Sequence, residues 1–221
     1  MVVVGVDVWA KAWVTVAVDR SVVDVRTFAK LAEAVSSYPD AAVFGVDIPI
    51  GLPTAGNRHA DTAARQFVGP RGSSVFSAPP RAVLTQPSYQ AALAFSRKEY
   101  DRGLSAQSYA LGAKILEAEQ IAHHDDRVFE VHPEVSFRAL KGAPLESAKK
   151  TWNGQMERRA LLAGAGLELP EELSEAGRVA PDDVLDATAA VWSARRIAEG
   201  THSTLPDPPQ SIEGRPVAIW F

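Results

Sequence analysis

The sequence predicts an α/β fold: a mixed five-stranded sheet, an antiparallel meander plus parallel strands, flanked by helices and carrying a helical insertion. Three observations predict it. Three β-branched runs follow one another across gaps that suit hairpins. A helical segment separates the third run from a fourth, so the fourth should return parallel to the first and beside it. A long stretch of helical patterns then precedes a fifth strand, after which helices close the chain.

In order, strands are expected at about residues 2–9, 12–19 and 22–28, a helix at 29–37, and a strand at 42–48. Pro49, Gly51 and Pro53 force the chain out of the sheet after that strand. Residues 54–125 read as a mostly helical insertion within a single domain spanning 1–221. Helical patterns at 59–67, 88–100 and 105–123 flank the polar, proline-rich RQFVGPRGSSVFSAPPR. The strand around 127–132 resumes the sheet, and helices are expected near 134–140, 147–164 and 182–198. LPDPPQ reads as a linker, and the terminal GRPVAIWF as a last strand or an ordered extended segment.

A chain of 221 residues supports one sizeable core and is short for two ordinary domains. It has no apolar run long enough to span a bilayer, and its N-terminus begins in a strand without the charged region and cleavage site of a signal peptide. With no cysteine, disulfides and thiolate zinc sites are excluded, and a cytoplasmic location is expected. The net charge of −4 argues against a general nucleic-acid coating protein. That average hides an asymmetry. From Thr54 to Leu116 eight basic residues stand against three acidic ones, which suits either solvated helix faces or a polyanion track.

Four segments bring carboxylates to element ends. Asp7 lies in a β-branched run that should be buried, where a charge needs a partner or an ion. Asp47 ends the 42–48 strand, Glu130 lies in the fifth, and Asp183 and Asp186 share one face of a helix that Pro181 opens. Each has a plain structural reading: Asp47 as a turn cap, Glu130 as the partner of an arginine, Asp182 and Asp183 as acids favoured at a helix N-terminus. Taken together they suit Mg²⁺ or Mn²⁺, which prefer oxygen ligands and need neither His nor Cys. Asp183 is preferred to Asp182 as the metal-facing residue because Asp186 is its i+3 partner.

Other residues are candidates around such a centre. Glu134 and Asp182 would support the ligands, and His132 would position a phosphate, shuttle a proton, or simply fix the Pro133 turn. His123 and His124 sit at a helix C-terminus, which favours cations, and are given no catalytic role. GPRGSS has the content of an anion-cradling loop without the P-loop ending, so Arg71, Ser73 and Ser74, joined by Arg81, would hold a substrate phosphate or form a rigid turn. Lys149 and Lys150 would contact a nucleic-acid backbone. Trp9, Trp13, Trp152, Trp192 and Trp220 are expected in packing and not as base-stacking platforms.

The order of elements, with acids on strand 1, strand 4 and a C-terminal helix, resembles the ribonuclease H-like fold. Within it the chain is most similar to the DUF429 family of predicted nucleases, through GVDVWAKAW (5–13), VDIPIGLP (46–53), PRGSSVFSAPPR (70–81), EVHPEVSF (130–137), the segment Lys149-Lys150-Thr151, DDVLDA (182–187) and the terminal IWF. Junction resolvases of the RuvC type place two acids three apart on the last helix, as Asp183 and Asp186 stand. The resemblance implies that Asp7 is the strand-1 acid bridging two metals, with either Asp47 or Glu130 in place of the second acid. It implies a metal-dependent nuclease hydrolysing phosphodiester bonds with two ions about 3.5–4 Å apart. In that scheme Asp47 and Asp183 or Asp186 complete the two spheres, while Glu130 is a ligand or orients the water. Without an ion, the acids should repel and destabilise the site near neutral pH. A non-catalytic metal- or nucleic-acid-binding protein on the same fold is the alternative. A phosphotransferase of the actin or sugar-kinase type would need a glycine-rich phosphate loop where Val8 and Trp9 follow Asp7.

Overall fold

A computed structural model of the protein describes residues 1–221. Strands β1 (Val2–Trp9), β2 (Ala12–Asp19) and β3 (Val22–Phe28) are followed by α1 (Leu31–Ser37) and β4 (Ala41–Val46). Then come α2 (His59–Val68), a 3-10 turn (Gly69–Ser74), α3 (Arg81–Leu84), α4 (Tyr89–Tyr100), α5 (Ala106–Ala110) and α6 (Gly112–Ala122). The chain closes with β5 (Val128–Glu130), α7 (Pro133–Lys141), α8 (Trp152–Gly164), a second 3-10 turn (Ser174–Arg178), α9 (Pro181–Ala198), β6 (Thr204–Ile212) and β7 (Arg215–Trp220).

The five-stranded sheet has the order β3-β2-β1-β4-β5. β1 and β3 flank β2 antiparallel, whereas β4 runs parallel to both β1 and β5, so the meander and the parallel return are as expected. Both hairpins are two-residue turns, with Ala10 (φ 52°) and Arg20 (φ 56°) supplying the positive φ that fits the strand twist.

Because side chains alternate along a strand, the sheet builds two cores. Val4, Val6, Phe44, Val46 and Val128 point to one face, where Ala78, Leu84, Ile115 and Ala118 cover them. Those four belong to the 54–125 segment, which therefore forms much of one helical layer of the fold. Val3, Val14, Val16, Val18 and Val43 point to the other face and pack against Ala187, Val191 and Ala194 of α9 and Phe137 of α7.

Several elements differ from the sequence reading. The 105–123 helix breaks at Leu111, where α5 ends and Gly112, a poor helix former, begins α6. The 147–164 helix starts only at Trp152, because Thr151 caps it by accepting from the Gly154 N–H. The fifth strand is shortened to three residues because Pro133 opens α7 with His132 as its N-cap. LPDPPQ is not a linker but part of β6, which pairs with β7 in a separate hairpin. The pairing is irregular between Leu205 and Gln210, so its prolines need donate nothing to the ladder. The tail is thus a strand, and Ile219 and Phe221 pack on Ala60, Ala64 and Val68 of α2. No helix is long and apolar enough to cross a membrane.

Candidate metal centre

The tripeptide Gly-Val-Asp occurs twice, at 5–7 and 45–47, and the parallel register pairs Gly5 with Gly45 and Val6 with Val46. Asp7 and Asp47 therefore leave neighbouring strands side by side, on the face opposite Val6 and Val46. The glycines let α9 lie almost on the strand backbones. A Cβ on Gly5 would stand 1.9 Å from the Ala187 carbonyl oxygen, and one on Gly45 2.7 Å from that of Ala190. The helix presents Asp186 to the same point, and carboxylate oxygens of Asp7, Asp47 and Asp186 lie within 4.8 Å of one another.

Three acids at that spacing, Asp7 and Asp186 buried and Asp47 half-buried, disfavour their own ionisation. Burial, then Asp47, Asp186 and Asp183, hold Asp7 well above the ordinary aspartate value. Burial pushes Asp47 up to about 7, opposed by Lys149 and reinforced by Glu134 and Asp183. Burial likewise raises Asp186 to about 6 against the pull of Lys149. Lys149 Nζ donates to Asp186 Oδ2 at 2.6 Å and stands 4.0 Å from Asp182 Oδ2. Burial works against that ammonium, but Asp186, Asp47 and Asp7 keep its pKa above the ordinary lysine value.

Two further segments close on the acids. Glu134 is buried in α7 and accepts from the wholly buried Arg158 through Oε1, while its Oε2 has no hydrogen-bond partner. Its charge acts on Asp47, Asp186 and His132. Burial lowers the His132 pKa, so the ring is neutral at pH 7, and its Nδ1 has no partner. Asp186 Oδ1 is also buried without a partner. An all-carboxylate donor set with an orphaned oxygen on Asp186 could hold a metal ion that takes oxygen ligands, since that oxygen otherwise bears the desolvation cost alone.

The remaining candidates divide. Asp183 is half-buried and near enough to raise Asp7 and Asp47, but it is not one of the three that converge, whereas Asp182 is buried against Lys149. Lys149 does not project as a free backbone contact, because it is paired into the centre. Lys150 is exposed, and its charge acts on Asp183 at the rim. Arg71 Nε donates to the Leu145 carbonyl at 3.2 Å and lies 4.0 Å from Glu134 Oε2; Ser74 Oγ donates to the Arg71 carbonyl, and Ser73 is exposed. Arg81 is paired with Glu119 and does not join them. Trp152 is 73% exposed at the start of α8, contrary to its expected packing, while Trp13 is wholly buried.

Glu130 does not join Asp7. The register pairs it with Val46, so its side chain takes the Val46 face and not the Asp47 face. There it accepts from Arg58 Nη2 and from the Ile50 N–H at 2.8 Å. Burial raises it to about 7 against the attraction of Arg58. It lines a cavity of about 800 Å³ with Arg81, Glu119, His123 and Trp220; none of Asp7, Asp47 and Asp186 lines that space, so convergence of ligands, and not cavity size, marks the centre. Glu130→Ala removes one of the two buried carboxylates around Arg58 and leaves Asp61, 3.5 Å away, as its remaining partner, so it should cost about 3 kcal/mol of stability, the low end for breaking a buried pair, yet leave the calorimetric Mn²⁺ affinity unchanged. A tenfold loss of affinity would return Glu130 to the ligand set.

Sequence reading missed Arg58 and Arg158, the wholly buried guanidinium partners of Glu130 and Glu134. Neither has a local signal. The repeated Gly-Val-Asp was legible and would have singled out Asp47 over Glu130.

No curated protein and no solved structure matches the chain. One family model matches residues 5–211, nearly its whole length, and the chain accordingly belongs to the family described as "Protein of unknown function (DUF429)".

Proposed function

We propose that the protein is a metal-dependent nuclease that hydrolyses phosphodiester bonds of nucleic acid at the Asp7–Asp47–Asp186 centre. The observation that carries this reading is the convergence within 4.8 Å of three carboxylates, buried Asp7 of β1, half-buried Asp47 just past β4 and buried Asp186 of α9. When bound, a divalent cation supplies Lewis acidity and a water of lowered pKa.

The chain's own residues do the rest. Asp7, Asp47 and Asp186 would hold the ion, and Glu134, fixed by Arg158, adds its charge beside Asp47 and Asp186. His132, neutral and with Nδ1 free, accepts or returns a proton at that atom. Asp183 and the exposed Lys150 mark the rim, where a phosphate backbone would run.

The test is a panel of single strand, duplex, RNA–DNA hybrid and four-way junction with Mg²⁺ or Mn²⁺, comparing wild type with Asp7→Asn and Asp186→Asn. Cutting that needs metal and is lost in both variants supports the nuclease and names its substrate class. Absence of cutting on every substrate, with metal binding intact, points instead to a binding protein on this scaffold.

Trp152 adds a specific expectation. An indole exposed beside Lys150 can stack on an unpaired base, so Trp152→Ala should weaken single-strand binding by roughly 5- to 100-fold. Its unfolding free energy should stay within about 0.5 kcal/mol of wild type. Equal affinity of the two proteins, measured by fluorescence anisotropy in EDTA, removes the stacking role.

A further inference from the structure

The turn that brings Lys149 to the centre is pinned from several sides. Thr151 donates to the Ala148 carbonyl through both its N–H (2.9 Å) and its Oγ1 (2.8 Å). Arg158 donates to the carbonyls of Ser147 (3.2 Å) and Gly154 (3.1 Å) while also holding Glu134. Gly154 permits the close approach, since a Cβ there would meet the Ala148 oxygen at 1.9 Å. Lys149 is therefore delivered by a built support, not by a loose surface side chain.

Its ammonium uses one oxygen of Asp186 and leaves the other, Oδ1, buried and without a partner. Asp186 is thus divided between a fixed cation and an open ligand position. Charge points the same way. Asp7, Asp47 and Asp186 are balanced by one divalent ion plus the ammonium, while Glu134 is paired with Arg158, Asp182 lies 4.0 Å from the same ammonium and Asp183 sits under the charge of Lys150; a second divalent ion would have to share the space with the lysine charge at low local dielectric. Glu130, a further carboxylate expected among the ligands, lies on the opposite face of the sheet with Arg58.

We propose that the centre takes one divalent cation per chain, on Asp7, Asp47 and the free oxygen of Asp186, and that the Lys149 ammonium stands where a two-ion site holds its second cation. The inference rests on the metal reading of the site. In phosphodiester hydrolysis it gives Lys149 the electrostatic task of the second ion, a positive charge facing one of the phosphate's reacting oxygens.

Isothermal titration of Mn²⁺, with native mass spectrometry as a second count, tests this without any nuclease assay. Wild type should bind one ion per chain. Lys149→Met should bind two, because the second position loses its resident charge. Lys149→Gln, which keeps a polar side chain beside Asp186, should do the same and serves if the methionine variant folds poorly. Two ions on wild type, or one on both variants, would overturn the proposal and leave the metal centre standing. No Mn²⁺ bound by wild type would overturn the metal reading itself.

Discussion

Asp7→Asn is expected to lower metal-dependent cleavage by at least about 100-fold, the upper range for loss of a mere supporting group around a metal, while raising the melting temperature of the metal-free protein at pH 8. The two effects share one cause. Asp7 is buried beside Asp47 and Asp186, so its charge is costly without an ion, and in the proposed reading it is a ligand when one is bound. Asparagine removes the repulsion together with the ligand. The direction with pH follows from linkage. Asp47 and Asp186 keep their protons up to about pH 7 and 6 in the native state, whereas the unfolded chain releases them near about pH 4. Folded-state pKa values above unfolded ones mean that their stabilisation is complete below about pH 4 and is lost as pH rises through 6 to 7.

Metal-free wild type should therefore melt lower at pH 8 than these groups allow at pH 4.5, and Asp7→Asn should flatten that difference. Mn²⁺ at 100 times its dissociation constant should raise the wild-type melting temperature at pH 8 by roughly 5–10 °C and leave the variant unmoved. A thermal-shift series at pH 4.5, 6, 7 and 8, with Mn²⁺ and with EDTA, reads all of this. A variant that still responds to Mn²⁺ as wild type does would show that Asp7 is not a ligand.

Gly5→Ala is expected to destabilise the fold by about 3 kcal/mol, the upper end of the usual cost of overpacking, which lowers the melting temperature by roughly 6–12 °C in a chain of this size. The added methyl meets no yielding side chain. It would stand 1.9 Å from the Ala187 carbonyl oxygen and 2.5 Å from the Val191 nitrogen, both in the backbone of α9. Relief requires α9 to retreat from β1, and the same helix carries Asp186, one residue before Ala187. Protein that survives should accordingly lose Mn²⁺ affinity although no ligand has been touched. Wild-type stability together with wild-type affinity would mean that α9 does not rest on the Gly5 backbone.

Much of this molecule was legible in the chain because the information was periodic or local. Alternation in 2–9, 12–19 and 22–28 gave the meander, the helix before 42–48 gave the parallel return, and Pro181 marked the start of α9. The acids Asp7, Asp47 and Asp186 all stand at element ends that the local pattern marks. Local signals also misled where a neighbour decided the outcome. LPDPPQ looks like a linker until β7 pairs with it, and Trp152 looks like core until α8 begins with that residue facing solvent.

The α/β architecture, the strand order through β4 and the set of acids from which a centre is drawn are written along the chain, since hydrophobic period and connectivity act there. Only the tertiary structure decided which acids meet. Register puts Glu130 opposite Val46 and so turns it to Arg58, the paired glycines bring α9 and Asp186 onto Asp7 and Asp47, and a turn braced by Arg158 delivers Lys149 to Asp186. Those choices are made by long-range packing and by the need of each buried charge for a partner, neither of which a linear pattern records.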